Sequence, residues 1–207
     1  MTQAAEPQAW IELAPHRPVP FWDTVRLDVL AHIAPADRQR TRWSWALTAA
    51  GVILRSSGFH VTLLYRLSHT LHHRAGAVGR VLAGLLFWCG RHGYGCAISP
   101  IARLHGGLIL PHPQGIVVGP GTVVGPRAWI FQNATLGGAP GKVGMPLVGA
   151  DARIYTGAVL SGPITVGDNV MVGANAVVHC DVPDQTLVRC PPAELSPLPA
   201  QFLTGAP

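Results

Sequence analysis

The chain has 207 residues, 12 % of them charged and 48 % hydrophobic, with a formal charge of +5. That length suits one elongated domain with a smaller partner and excludes two large ones, and so few charges leave apolar surface to be buried between subunits. The longest strongly apolar run, Val81 to Cys89, is far shorter than the roughly 18 residues of a membrane span, and no basic segment followed by an apolar one opens the chain, so a cytoplasmic location is expected.

The basic residues are scattered, with neither a recognition helix nor a basic run, which argues against nucleic acid and fits a polyphosphate small molecule at least as well. Cys89, Cys96, Cys180 and Cys190 show no C-x-x-C spacing; neither a zinc site nor a disulfide framework is signalled, and buried free thiols are expected.

Residues 1–20 are rich in Pro, Ala and Gln without a period and read as an irregular arm. Over 21–95 the pattern is helical: Leu64, Leu67 and Leu71, then Val78, Val81, Leu82, Leu85, Leu86 and Cys89, recur at three and four, with breaks expected at Gly58 and Gly76. From 96 to 183 a six-residue beat takes over, carried by Ile98, Leu104, Leu110, Val118, Val124, Ile130, Leu136, Val148, Ile154, Leu160, Val166, Val172 and Val178. The fifth place of each hexad is often small, as at Ala128, Ala134, Ala152, Ala158 and Ala176.

The residue after the aliphatic is often glycine (Gly119, Gly125, Gly149, Gly167, Gly173), a choice expected to serve left-handed turn angles. This is the hexapeptide repeat of a parallel β-helix, in which each hexad is a short strand plus a turn, and about three hexads close one coil. Two irregularities interrupt it. Leu110 and Val118 are separated by two extra residues, and 137–147 is a Gly- and Pro-rich excursion holding Lys142, the only lysine in the chain. Such an excursion from a regular solenoid is a candidate ligand loop. The tail, 184–207, is proline-rich and expected to be extended.

Three segments are distinctive: Gly58-Phe59-His60 with Leu64-Tyr65-Arg66-Leu67-Ser68-His69 on a helix, Leu110-Pro111-His112-Pro113-Gln114-Gly115-Ile116-Val117-Val118-Gly119, and Gln132-Asn133-Ala134-Thr135-Leu136-Gly137-Gly138. Through them the chain resembles the serine O-acetyltransferase family of acyl-CoA-dependent hexapeptide transferases, over about 58–193, the two-residue stutter after Leu110 included.

The resemblance implies a helical domain followed by a left-handed parallel β-helix, assembled as a homotrimer or, through the helices, a hexamer. It also implies acetyl-CoA or another acyl-CoA as co-substrate, with no metal. His112 falls on the family's general base, needed because an alcohol is a poor nucleophile until its proton is taken during attack. Gly137, Gly138 and Lys142 resemble the coenzyme loop, with Ala139 and Pro140 in place of its threonine, and Thr156 and Ala174 fall on coenzyme-groove positions.

Departures cluster on the acceptor side. The carboxylate that the family pairs with its histidine, fifteen residues earlier, is Ala97 here, and the aspartate directly before the histidine is Pro111. The family's substrate-gripping Arg-His-Pro is Gly144-Met145-Pro146, and a further aspartate aligns with Ala34 or Trp43. A free amino acid is a zwitterion whose charges are costly to desolvate without partners.

The expected function is therefore O-acyl transfer to a hydroxyl other than that of free serine, as in specialised metabolism. The acceptor would be a small or carrier-tethered molecule held by Pro111, Gln132, Gly144 and Met145, with assistance from His105 considered. Alternatives are a non-catalytic trimeric scaffold, an ordinary serine O-acetyltransferase, and a metal enzyme of γ-carbonic-anhydrase type. The last would use His105, His112 and His179, whose spacing does not reproduce that family's. The chain ends Thr204-Gly205-Ala206-Pro207 and lacks the family's C-terminal isoleucine, so docking to the usual partner enzyme is not expected.

Overall fold

A computed structural model describes residues 21–33, 42–194 and 196. The arm at 1–20, Ala34 and most of the proline-rich tail lie outside the described residues. Among the described residues four helices come first: α1 (Phe21–His32), α2 (Arg42–Arg55), α3 (Ser57–Arg74) and α4 (Gly76–Gly93). The break between α2 and α3 falls at Ser56, not at the expected Gly58: the Ser56 hydroxyl caps α3 by accepting from the Phe59 N–H at 3.1 Å. Gly58 lies inside the first turn, pressed against the Leu110 carbonyl where a Cβ has no room. Gly76, with φ of +60°, does mark the next break.

The apolar stripes that identify α3 and α4 in the sequence are not the faces these helices bury. On α3 the buried residues include Phe59, Thr62, Tyr65, Arg66 and His69, which line one side at helical spacing. On α4 they are Gly79, Ala83 and Gly90, small residues that let the two helices pack closely, with the Ser68 hydroxyl donating to the Ala83 carbonyl at 2.9 Å. Val81 and Trp88 are 73 % and 55 % exposed. None of the described helices is long and apolar enough to cross a membrane.

The solenoid has three parallel faces. The first stacks β1 (Ala97–Ile98), β3 (Val117–Val118), β6 (Thr135–Gly137), β9 (Val159–Ser161) and β12 (Val177–Val178). The second stacks β2 (Arg103–Leu104), β4 (Val123–Val124), β7 (Leu147–Val148) and β10 (Thr165–Val166). The third stacks β5 (Trp129–Ile130), β8 (Arg153–Ile154), β11 (Met171–Val172) and β13 (Leu187–Val188). β13 pairs with β11, so the solenoid continues past the expected boundary at 183.

Ladder register shows how the irregularities are absorbed. Val117 pairs with Thr135, and Val159 with Val177, each eighteen residues on, which is three hexads. Ala97 pairs with Val117 twenty residues on, and Thr135 with Val159 twenty-four on. The extra two and extra six residues leave the coil at its corners, and every aliphatic of the six-residue beat stays buried in one continuous core.

The glycine expectation is corrected by the structure. The left-handed corner position lies three residues after the inward aliphatic, and is filled by Arg127, Asn133, Asp151, Asn169 and Asn175 with φ between 55° and 59°, or by glycine as at Gly107 and Gly157. Asn and Asp tolerate that region best among residues with a Cβ. Gly125, Gly149 and Gly167 are instead required by space: a Cβ on Gly125 would sit 2.6 Å from the Gly149 backbone in the next coil, and the other two likewise meet the coil below.

The helices are fastened to the first coil by a buried ion pair. Asp28, 1 % exposed, accepts from Arg66 Nε at 3.0 Å and from the Gly107 and Leu108 N–H groups at 2.8 and 3.0 Å. Arg66 also donates to the carbonyls of Leu104 and His105. Tyr65 donates to the Ala102 carbonyl at 2.8 Å and accepts from the Leu104 N–H at 3.0 Å, and burial pushes its pKa up. His69 Nδ1 donates to the Pro100 carbonyl at 2.9 Å, and burial lowers its pKa to about 4.

Asp28→Ala would strand Arg66 and two backbone N–H groups, so urea unfolding should show a loss of about 3–5 kcal/mol. For His69 the unfolded chain binds the proton more tightly, so stability is complete above about pH 6.5 and falls as pH drops toward 4, by about 3 kcal/mol in all. Stability measured against pH should show that slope in the parent and a flatter one in His69→Gln.

Candidate functional site

Because the coils stack in register, the residues of interest are sorted by the three edges of the prism. The edge from the third face to the first carries Pro111 and His112 in the first coil, then Gln132, Thr156 and Ala174, one per coil below. Backbone bonds tie this column together: the Asn133 N–H donates to Gln114, Gly157 to Gln132, and Asn175 to Thr156. Gln114 is therefore the residue stacked over Gln132. The two-residue insertion falls within 111–113 and carries the exposed His112 outward from the column.

His112 lines a cleft of about 580 Å³ with Ser57, Gly93, Tyr94, Gly95, Pro111, Pro113 and Gln114. Ser57 comes from the first turn of α3, and Tyr94 from the end of α4. The Tyr94 hydroxyl lies 3.3 Å from His60 Nδ1, and His60 Nε2 meets the Ile53 carbonyl. No lining residue carries a carboxylate, and His112 is the only one with a basic side chain. Ala97, where the family has a carboxylate, is a half-buried β1 residue paired with Val117. Gln132, one coil below the cleft, has its Oε1 buried without a hydrogen-bond partner.

The edge from the first face to the second carries the excursion. Gly137 accepts from the Gly162 N–H at 2.9 Å, the Ser161 hydroxyl donates to the Gly138 carbonyl at 3.1 Å, and the Lys142 N–H closes a turn onto Ala139. Lys142 is exposed, with its side chain running beside Gly162. Gly144 abuts Pro163, and Met145 lies beside Gly119 and Gly138, so the loop folds down along its own edge. Gly144 and Met145 are thus not brought together with Pro111 and Gln132 within one chain, nor Lys142 with His112; the whole first face separates them.

His105 is on the remaining edge, half-buried, with a pKa lowered first by burial and then by Arg103 and Arg66. Within one chain it does not join His112. His179, exposed, follows β12 on the loop's edge, so the three histidines considered for a metal lie on three different edges. Among the described residues no group of three His, Cys, Asp or Glu side chains could hold a metal ion. The cysteine expectation needs correction: Cys96 is buried, with burial raising its thiol pKa, and Cys89 is half-buried, but Cys180 and Cys190 are exposed.

Sequence reasoning missed Ser57, Tyr94 and Gln114 as cleft residues. Gln114 was within reach, since it sits in the quoted motif two residues after His112. Tyr94 and Ser57 were not, because only the docking of the helices onto the first coil brings them there.

Comparison with known proteins fits this architecture. The family described as bacterial transferase hexapeptide (six repeats) matches residues 145–180. The serine acetyltransferase of Helicobacter pylori is 38 % identical over 135 residues, 64 % of this chain and 77 % of that protein. That of Bacillus subtilis is 37 % identical over 143 residues, 68 % of this chain and 64 % of that protein.

Among solved structures, the Neisseria gonorrhoeae serine acetyltransferase in complex with serine superposes with a TM-score of 0.69 at 31 % identity, over 84 % of this chain and 68 % of that one. Isoform 3 from Entamoeba histolytica, in complex with cysteine, shares the fold with a TM-score of 0.69 at 23 % identity, over 90 % of this chain and 64 % of that one. The β-helix is left-handed, as the resemblance implied. This chain belongs to the serine acetyltransferase family of hexapeptide-repeat acyltransferases, and it is an acyltransferase.

Proposed function

We propose that the protein transfers the acetyl group of acetyl-CoA directly to an acceptor hydroxyl, with His112 as general base. His112 takes the hydroxyl proton as the oxygen attacks the thioester carbonyl. The tetrahedral intermediate then collapses with cleavage of the C–S bond, and the coenzyme thiolate leaves and is protonated. The observation that carries this reading is the position of His112 at the mouth of a cleft formed between the first coil and the helices. Gly137, Gly138 and Lys142 would hold the coenzyme, the single lysine answering its phosphates, while Thr156 and Ala174 line its path along the His112 edge.

These two sets of residues occupy different edges of one chain, so a complete site requires the loop of a neighbouring subunit. That need supports a homotrimer, and the exposed Val78, Val81, Leu82, Leu85 and Trp88 on α4 supply apolar surface for further assembly.

The named relatives support free serine as the first acceptor, so the ordinary serine acetyltransferase reading takes precedence over the divergent one expected from sequence. One observation favours a second reading. The cleft presents Ser57, Tyr94 and Gln114 but no charged partner for a zwitterion, with Pro111 and Ala97 where the family has carboxylates. A neutral alcohol would suit such a lining better.

Turnover by thiol release from acetyl-CoA, compared between L-serine and glycerol, separates the two readings. His112→Ala should lower turnover by about 10² to 10⁴ with either acceptor. Undiminished turnover in that variant would remove His112 from the reaction.

A further inference from the structure

We propose that the adenine base of the coenzyme stacks on the face of the Tyr155 ring turned away from Phe131, over Gly173 at the end of the third face. This inference rests on the reading that acetyl-CoA runs along the His112 edge.

Strand register builds the place. Ile130 pairs with Ile154, Ile154 with Val172, and Val172 with Val188. The residues that follow these, Phe131, Tyr155, Gly173 and Arg189, therefore stand one below another where the third face meets the His112 edge. The N–H groups of Phe131, Tyr155 and Gly173 each donate to the coil below, at 2.9, 2.9 and 2.8 Å. The rings of Phe131 and Tyr155 are stacked, with centroids 4.9 Å apart and planes 16° from parallel. That separation is close to the spacing of neighbouring strands, so the stack runs along the solenoid axis. It uses one face of the Tyr155 ring and turns the other toward the next coil. There the column holds Gly173, which has no side chain to continue the stack, and Tyr155 is only half-buried. A place one ring thick, bounded by an aromatic face, suits a flat π-system.

Position along the axis selects which one. His112 belongs to the first coil and Gly173 to the fourth, three strand spacings or about 14 Å apart. A small acceptor in contact with His112 does not reach that far. A coenzyme with its thioester at His112 and its arm laid past Thr156 and Ala174 brings its nucleotide end to this level. Charge agrees with that end. Arg153, its guanidinium 5.6 Å from the Trp129 ring centroid, precedes Tyr155 by two residues, and the exposed Arg189 is next in the column below Gly173. Asp151, Asp168 and Asp184 are on the edge that carries His105, where Asp168 accepts from the Ala150 N–H and Asp184 from the Asp168 N–H. The column itself, Phe131, Tyr155, Gly173 and Arg189, thus has no carboxylate to repel a polyphosphate.

The test is calorimetric titration of the full chain with CoA and with 4′-phosphopantetheine, which lacks the adenosine. The parent should bind CoA the more tightly of the two. Base–aromatic stacking sets the scale, so Tyr155→Leu should weaken CoA by about tenfold and narrow its advantage over 4′-phosphopantetheine by the same factor. Tyr155→Phe, which keeps the ring, should hold that advantage within about twofold of the parent. Unchanged CoA affinity in Tyr155→Leu overturns the inference and leaves the coenzyme reading intact. Equal weakening of the two ligands also overturns it, because a merely structural role for Tyr155 has that signature. If the parent does not bind CoA, the coenzyme reading and this inference fall together.

Discussion

Every coil of this solenoid points its aliphatics into one continuous buried core, and that shared interior governs everything built on it. Each inward aliphatic must meet the one above and the one below, so any residue beyond three hexads per coil has to leave at a corner. The chain exceeds eighteen residues at two such corners, where the two extra residues carry His112 and the six extra residues carry Lys142, and it falls two short in the last coil, where Val166 pairs with Val182 and Met171 with Leu187. The same rule explains Gly125, Gly149 and Gly167, which are small because the adjacent coil passes too close for a Cβ. Structural regularity thus defines, by exception, the two places where chemistry can be mounted.

The helical region makes a cleft out of what would otherwise be an exposed edge. Its attachment depends on Asp28 and Arg66, each buried, whose charges are answered by one another and by backbone groups of 104–108. With that joint closed, the start of α3 and the end of α4 bring Ser57 and Tyr94 over the His112 corner. Energetics and function are linked here: loss of the ion pair would release the wall of the cleft along with the helices.

The solenoid was largely legible in the sequence because its burial rule is periodic: every aliphatic from Ile98 to Val178 sits where the six-residue beat expects it. The helices were legible only as helices. Leu67 and Val81 advertise an apolar face, yet the packed faces are made by Tyr65, Arg66 and His69 on one helix and by Gly79 and Ala83 on the other. Hydrophobic periodicity cannot register an ion pair such as Asp28–Arg66 formed across 38 residues of sequence. His112 and the loop could be located from motifs, whereas the division of the acceptor residues between two edges could not, since it follows from which face each hexad joins. Glycine after the aliphatic suggests backbone freedom in the sequence, whereas the reason for it at Gly125, Gly149 and Gly167, close approach of the next coil, exists only in three dimensions.

If His112 is the base and the Lys142 loop holds the coenzyme, as proposed, their places on different edges would have each working site shared between two chains. Mixing subunits tests that claim directly. His112→Ala and Lys142→Glu chains, each of low activity alone, should regain activity when co-assembled, because one chain supplies His112 and its neighbour Lys142. Random assembly of equal amounts into a three-fold ring would restore up to about a quarter of parental turnover. No recovery on co-assembly, with mixed trimers demonstrated by mass spectrometry, would contradict a shared site and require His112 and Lys142 to act within one chain.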